Sequence, residues 1–89
     1  MVVLKLDVTR QVRKFLDTLP PKQFRQVVNK ILSLMMDPKA GDSKKLEGYL
    51  YYRVDVGEYR IVYRVEGDCL KVALAGKRND SEIYEQLKK

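Results

Sequence analysis

The sequence has 89 residues, 45% of them hydrophobic and 34% charged, with a formal net charge of +6. That length holds one small domain and the composition supports a packed core, which excludes a disordered chain and a second domain. One cysteine and no histidine exclude an intrachain disulfide, a Cys/His zinc site and a histidine general base, while the positive balance favours polyanionic partners such as RNA, DNA, anionic lipid or an acidic protein.

Taken in chain order, residues 2–6 (VVLKL) predict a short strand. Val8, Val12, Phe15, Leu16 and Leu19 recur at helical spacing and predict a helix over about 8–18. Leu19-Pro20-Pro21 breaks it, and Pro21 suits the first turn of a second helix, where a missing N–H costs nothing. That helix places Phe24, Val27, Val28, Ile31, Leu34 and Met35 on one stripe, with Lys22, Arg25 and Lys30 on the other side. Asp37-Pro38 ends it, because the residue before proline disfavours helical geometry. The two helices are expected to form an antiparallel hairpin.

Residues 39–48 read as a polar, glycine-containing loop. Three alternating segments follow at 50–56, 59–65 and 69–75, separated by Gly57-Glu58 and Gly67-Asp68, each suited to a tight two-residue turn with glycine first. Asn79, Asp80 and Ser81 are good helix caps and predict a last helix over about 80–88, with Lys88 and Lys89 at its dipole-favoured end. The order β-α-α-β-β-β-α makes one α+β domain over 1–89, a helical hairpin packed on an antiparallel sheet. The opening MVVLKLDVTR is too short and too charged for a signal peptide, and no run reaches membrane-spanning length. A cytoplasmic protein with no membrane partner is expected.

The two turns fix a register. Val56 faces Tyr59, Asp55 faces Arg60, Val54 faces Ile61 and Arg53 faces Val62; across the second turn, Val65 faces Leu70, Tyr63 faces Val72, Ile61 faces Leu74 and Arg60 faces Ala75. Opposed residues share a face. Tyr52, Val54, Val56, Tyr59, Ile61, Tyr63, Val65, Leu70, Val72 and Leu74 then form the core face. Tyr51, Arg53, Asp55, Arg60, Val62, Arg64, Lys71, Ala73 and Ala75 form the other, a basic face with a low floor, next to Lys77 and Arg78. Such a face suits a phosphate or an RNA strand. It also admits a plainer reading, in which Asp55–Arg60 is an ordinary cross-strand ion pair and Arg64 and Lys71 are solubilising charges.

At "KLEGYLYYRVDVGEYRIVYRV" followed by "GKRNDSEIY" the sequence resembles the RelE/ParE superfamily of toxins from bacterial and archaeal toxin–antitoxin pairs, closer to the RelE branch. The resemblance implies a ribosome-dependent endoribonuclease that cleaves messenger RNA in the A site without a metal or other cofactor. It implies a cognate antitoxin, the ribosome and mRNA as partners. Matched by motif, it assigns catalytic roles to Arg60 of "YRIVY", Arg78 of "GKR", Tyr84 of "EIY" and Arg53. Well-known relatives place a second lysine two residues beyond the position of Arg53, where this sequence has Asp55. A ParE-like toxin that inhibits DNA gyrase without cutting RNA is the competing expectation; "GKR…EIY" favours the ribonuclease, and Asp55 keeps the alternative open.

In the ribonuclease reading, the RNA 2′-hydroxyl attacks the adjacent phosphate, which needs a base, cations and an acid. Tyr84 is the candidate base; a tyrosine pKa is ordinarily about 10 and needs nearby cations to favour phenolate. Arg60 and Arg78 are too basic to give up protons easily and suit charge stabilisation. Lys77, Arg64, Lys71 and Lys45 are the candidate RNA contacts, with Lys44, Lys22, Arg25 and Lys30 as further cations for ribosomal RNA. Tyr84 also has a plainer reading, as a helix tyrosine packing on the sheet edge.

Overall fold

The computed structural model describes residues 3–39, 43–45 and 51–77. The chain runs β1 (Lys5–Val8), α1 (Arg10–Asp17), α2 (Pro21–Met36), β2 (Lys44–Lys45), β3 (Tyr52–Val56), β4 (Tyr59–Glu66) and β5 (Cys69–Lys77). The strands form one sheet in the order β1-β5-β4-β3-β2. β1 runs parallel to β5, and the other neighbours are antiparallel. The predicted α+β architecture stands. The expected final helix over 80–88, with Arg78 and Tyr84, lies outside the described residues.

The first strand and helix meet later than their periodicity predicts. Val8 belongs to β1, opposite Val72, rather than to the helix. Thr9 has extended backbone and its hydroxyl accepts a hydrogen bond from the Val12 N–H, capping α1. α2 begins with Pro21 at its first position and buries Val27, Ile31 and Leu34. Phe24, in its first turn, is 41% exposed, so the buried stripe starts one turn after the predicted one. Within the expected loop, Lys44 and Lys45 form a two-residue edge strand against Arg53 and Tyr52.

The β3–β4 hairpin has the predicted register, from Val56 opposite Tyr59 to Tyr52 opposite Tyr63. Gly57 and Gly67 open the two turns at φ +56° and +60°, a conformation that a residue with a Cβ resists. Between β4 and β5 the register is as predicted from Glu66–Cys69 to Tyr63–Val72 and then shifts by one. Val62 faces Leu74, Ile61 faces Ala75 and Arg60 faces Gly76. Ala73 is the extra residue of a β-bulge.

This corrects the expected faces of β5. Leu74 leaves the helical side and joins Val62 on the other, while Ala75 joins the main core. The physical cause lies at the far end of the chain. β1 pairs with β5 only as far as Val8–Val72, then turns into α1. Past that point the edge of β5 is bonded by side chains. The Thr9 hydroxyl donates to the Ala73 carbonyl at 2.6 Å. The Gln11 amide donates to the Ala75 carbonyl at 2.7 Å and accepts from the Ala75 N–H at 3.0 Å. Gln11 thus supplies the donor and acceptor that a strand residue would, and leaving that peptide unpaired is what the bulge avoids.

The core between helices and sheet joins Val12, Val27, Ile31 and Leu34 to Val54, Ile61, Tyr63, Leu70 and Val72. Tyr63 is fully buried, stacks on Tyr52 with ring centroids 5.9 Å apart, and donates its hydroxyl proton to the Pro38 carbonyl. That bond ties the exit of α2 to the middle of the sheet. Among the described residues, no helix is long and apolar enough to cross a membrane.

Candidate nucleic-acid interface

The sheet face turned away from the helices is built in rows, because cross-strand partners share a face. One row contains Asp55, Arg60 and Gly76, and the next Lys44, Arg53, Val62 and Leu74. A third contains Arg64, Lys71 and Asp7, with Tyr51 flanking Arg64. Val62 and Leu74 are buried, at 0% and 7% exposure, with Tyr51 and Ala73 packed against them. An apolar strip therefore separates two charged ends, in place of the low alanine floor expected from the uncorrected register.

At one end, Arg60 donates from Nε to Asp55 Oδ1 at 2.7 Å and from Nη2 to Oδ2 at 3.4 Å. Arg53 Nη1 lies 3.9 Å from the same Oδ2. Arg60 is only 17% exposed and Asp55 34%, so the fork is partly shielded from water and geometrically fixed. A phosphate would use the same guanidinium edge that the carboxylate uses. At the other end, Glu66 contacts Arg64 at 2.6 Å and Lys71 at 3.4 Å but is itself 54% exposed.

The structure brings together Arg53, Arg60, Arg64 and Lys71 on this face. It does not bring the other described candidates to it. Lys77 stands opposite Tyr59, on the helix-covered side, which corrects its expected place next to Arg60. Lys45 pairs with Tyr52 on that same side, and Lys44, opposite Arg53, is the lysine of β2 that shares the basic face. Arg78 and Tyr84 lie outside the described residues. A wider polar depression of about 450 Å³ lies between α2 and the β3–β4 turn, lined by Gln26, Asn29, Lys30, Ser33 and Asp55 among others. Among the described residues no cluster of His, Cys, Asp and Glu is arranged to hold a metal ion.

A basic sheet face opposite two helices is the arrangement that the sequence resemblance implies, and comparison with known proteins bears on the family directly. Residues 3–80 match the family described as ParE toxin of type II toxin-antitoxin system, parDE. The chain belongs to this family of toxins. No curated protein matches the sequence. Among solved structures, the RelE–RelB complex from Pyrococcus horikoshii is similar at 27% identity and a TM-score of 0.75, covering 86% of this chain and 97% of that one. The RelBE2 toxin–antitoxin complex from Mycobacterium tuberculosis is similar at 25% identity and a TM-score of 0.73, covering 90% and 97%. A free-state variant of the Escherichia coli toxin RelE shares the fold at 23% identity, with a TM-score of 0.80 and coverage of 94% and 93%. The toxin is thus a member of the RelE/ParE superfamily in sequence and in fold.

Proposed function

We propose that this toxin is an endoribonuclease that cuts translated message on the ribosome. The RNA 2′-hydroxyl attacks the adjacent phosphorus, the bond to the 5′-oxygen breaks, and the products are a 2′,3′-cyclic phosphate and a 5′-hydroxyl. The proton of the 2′-hydroxyl passes to a base, for which Tyr84 is the candidate, and an acid returns one to the leaving oxygen. Arg60 and Arg53 stabilise the negative charge that grows on the phosphate, with Arg78 as the further candidate cation. The observation that carries this reading is the fixed guanidinium pair on the side of the sheet turned away from α1 and α2, Arg60 and Arg53 around one carboxylate. None of these groups is a strong acid or base at neutral pH, so positioning of the message by the ribosome has to supply much of the rate.

Two of the solved relatives are toxin–antitoxin complexes, and a cognate antitoxin with an acidic segment suits the cations of this face. The second reading is inhibition of DNA gyrase. It is favoured by the ParE family match and by Asp55, whose carboxylate takes up charge from Arg53 and Arg60. Purified toxin added to programmed ribosomes, with RNA 5′ ends mapped, separates the two. Cuts within codons that disappear in Arg60→Ala support the ribonuclease. Intact message together with lost gyrase supercoiling supports the alternative, and cutting undiminished in Arg60→Ala removes the site assignment.

A further inference from the structure

The proposed chemistry occupies the Asp55 end of the face and leaves the Arg64 row unused. Asp7, Lys71 and Arg64 are successive partners across β1, β5 and β4, and Arg64 Cζ lies 5.8 Å from the centre of the Tyr51 ring. Counting Tyr51, which directly precedes β3, these four residues cross the sheet over roughly 14 Å at about 4.8 Å per strand. All four line one depression of about 210 Å³, together with Thr9 and Ala73. Side chains from both ends of the row therefore lean in over a small floor. The floor is small because it is an alanine, Ala73, the extra residue of the bulge. The volume falls below the roughly 300–1,000 Å³ of sites for drug-sized ligands. It fits a single base.

The walls differ in chemistry. Tyr51 rests on the Val62–Leu74 strip and has Arg64 over its ring, so aromatic and guanidinium surfaces form one platform. Single-stranded RNA is commonly held by stacking on such platforms. The opposite wall is polar. Asp7 carries acceptor oxygens, and the Thr9 hydroxyl, which donates to Ala73 and accepts from the Val12 N–H, keeps one lone pair for a ligand. Arg64 and Lys71 stand at the mouth with side chains 34% and 36% exposed. Their carboxylate partner is 54% exposed, and exposed pairs of this kind are weak, so a phosphodiester displaces it readily.

We propose that this depression binds one nucleotide of an RNA strand, with the base over Ala73 against Tyr51 and the phosphate on Arg64 and Lys71. The inference rests on the ribonuclease reading in taking RNA as the ligand. Arg60 and Arg64 are four residues apart on β4, about 13 Å at 3.3 Å per residue. One phosphate cannot bridge them, so the nucleotide held here flanks the one that is cut and anchors the strand.

The test is binding of a fluorescein-labelled hexanucleotide with 2′-O-methyl groups, which cannot be cleaved, followed by anisotropy at low and moderate salt. Arg64→Gln/Lys71→Gln is expected to weaken binding at least tenfold and to flatten its salt dependence. Tyr51→Leu, which keeps the apolar packing, is expected to weaken it three- to tenfold with the salt dependence unchanged. The helix variant Arg13→Gln/Lys14→Gln makes the same charge change away from the sheet and is expected to stay within twofold. Tyr51→Leu binding like the unaltered protein, or the sheet double variant losing no more than the helix one, overturns the site. Tyr51-dependent binding by a protein that leaves ribosome-bound message intact sinks the ribonuclease reading instead and leaves the nucleotide site standing.

Discussion

Each end of the sheet face turned away from the helices has two cations paired to one carboxylate, Asp55 at one end and Glu66 at the other, where Asp7 adds a second acid, and the two ends hold their pairs differently. Asp55 grips Arg60 through two hydrogen bonds, with the arginine side chain only 17% exposed. Glu66 reaches Arg64 and Lys71 from a position 54% exposed to water. Water screens the second set and lets its partners exchange, whereas the first set keeps its geometry because less water competes for it. The Asp55 end is a preorganised fork. The Glu66 end is a pair of cations with an exchangeable counter-ion. Similar pairing therefore points to different duties, orientation of a reacting phosphate at one end and anchoring of a strand at the other.

That contrast breaks most visibly at Arg60. Arg60→Ala is expected to lower ribosome-dependent cleavage by about 100-fold or more, the usual loss for a donor to developing charge. Arg64→Ala is expected to cost about tenfold or less, measured on the same message; equal losses would mean that the ends share one task. The next largest effect concerns the strip between the ends. Gln11→Ala removes both partners of the Ala75 peptide, and a stability loss of about 2 kcal/mol is expected by urea unfolding.

Smaller changes sharpen the contrast between the two acids. Asp55→Asn is expected to cost about 1.5 kcal/mol of stability, since charge-assisted bonds to a shielded guanidinium weaken. It also removes the negative charge facing Arg53 and Arg60, so oligonucleotide affinity rises severalfold. Glu66→Gln is expected to stay within about 0.5 kcal/mol of the unaltered protein. Its effect on affinity is about twofold. Matching unfolding curves for the two variants would show that burial does not separate the ends.

Much of the sheet was readable from residue order. Alternation and the glycine of each turn gave the β3–β4 pairing residue for residue, and with it the shared face of Arg53, Asp55, Arg60 and Arg64. Lys71 joined them through the first half of the β4–β5 ladder. The reading failed where a strand departs from period two. Lys77 was misplaced because the bulge shifts everything after Ala73 by one residue, and parity then carries the error forward. Tyr51 was visible on the basic face by parity alone, yet nothing local marks it as a platform; that needs its contact with Arg64 and the buried strip beneath it. Thr9 caps α1, a role that helical periodicity counted from Val8 does not reveal.

The sequence by itself determined the hairpins, the two helices with the break at Leu19-Pro20-Pro21, and a cationic stripe along β4. These follow from forces between near neighbours: alternation, turn geometry and helix capping. Only the tertiary structure decided that β1 lies parallel beside β5, that Gln11 holds the Ala75 peptide, and that Leu74 and Ala75 exchange faces. The first two join residues 64 positions apart, and the third accompanies them on the same strand. A backbone group at the edge of a strand takes whichever partner the fold delivers, and no local pattern records which one that is.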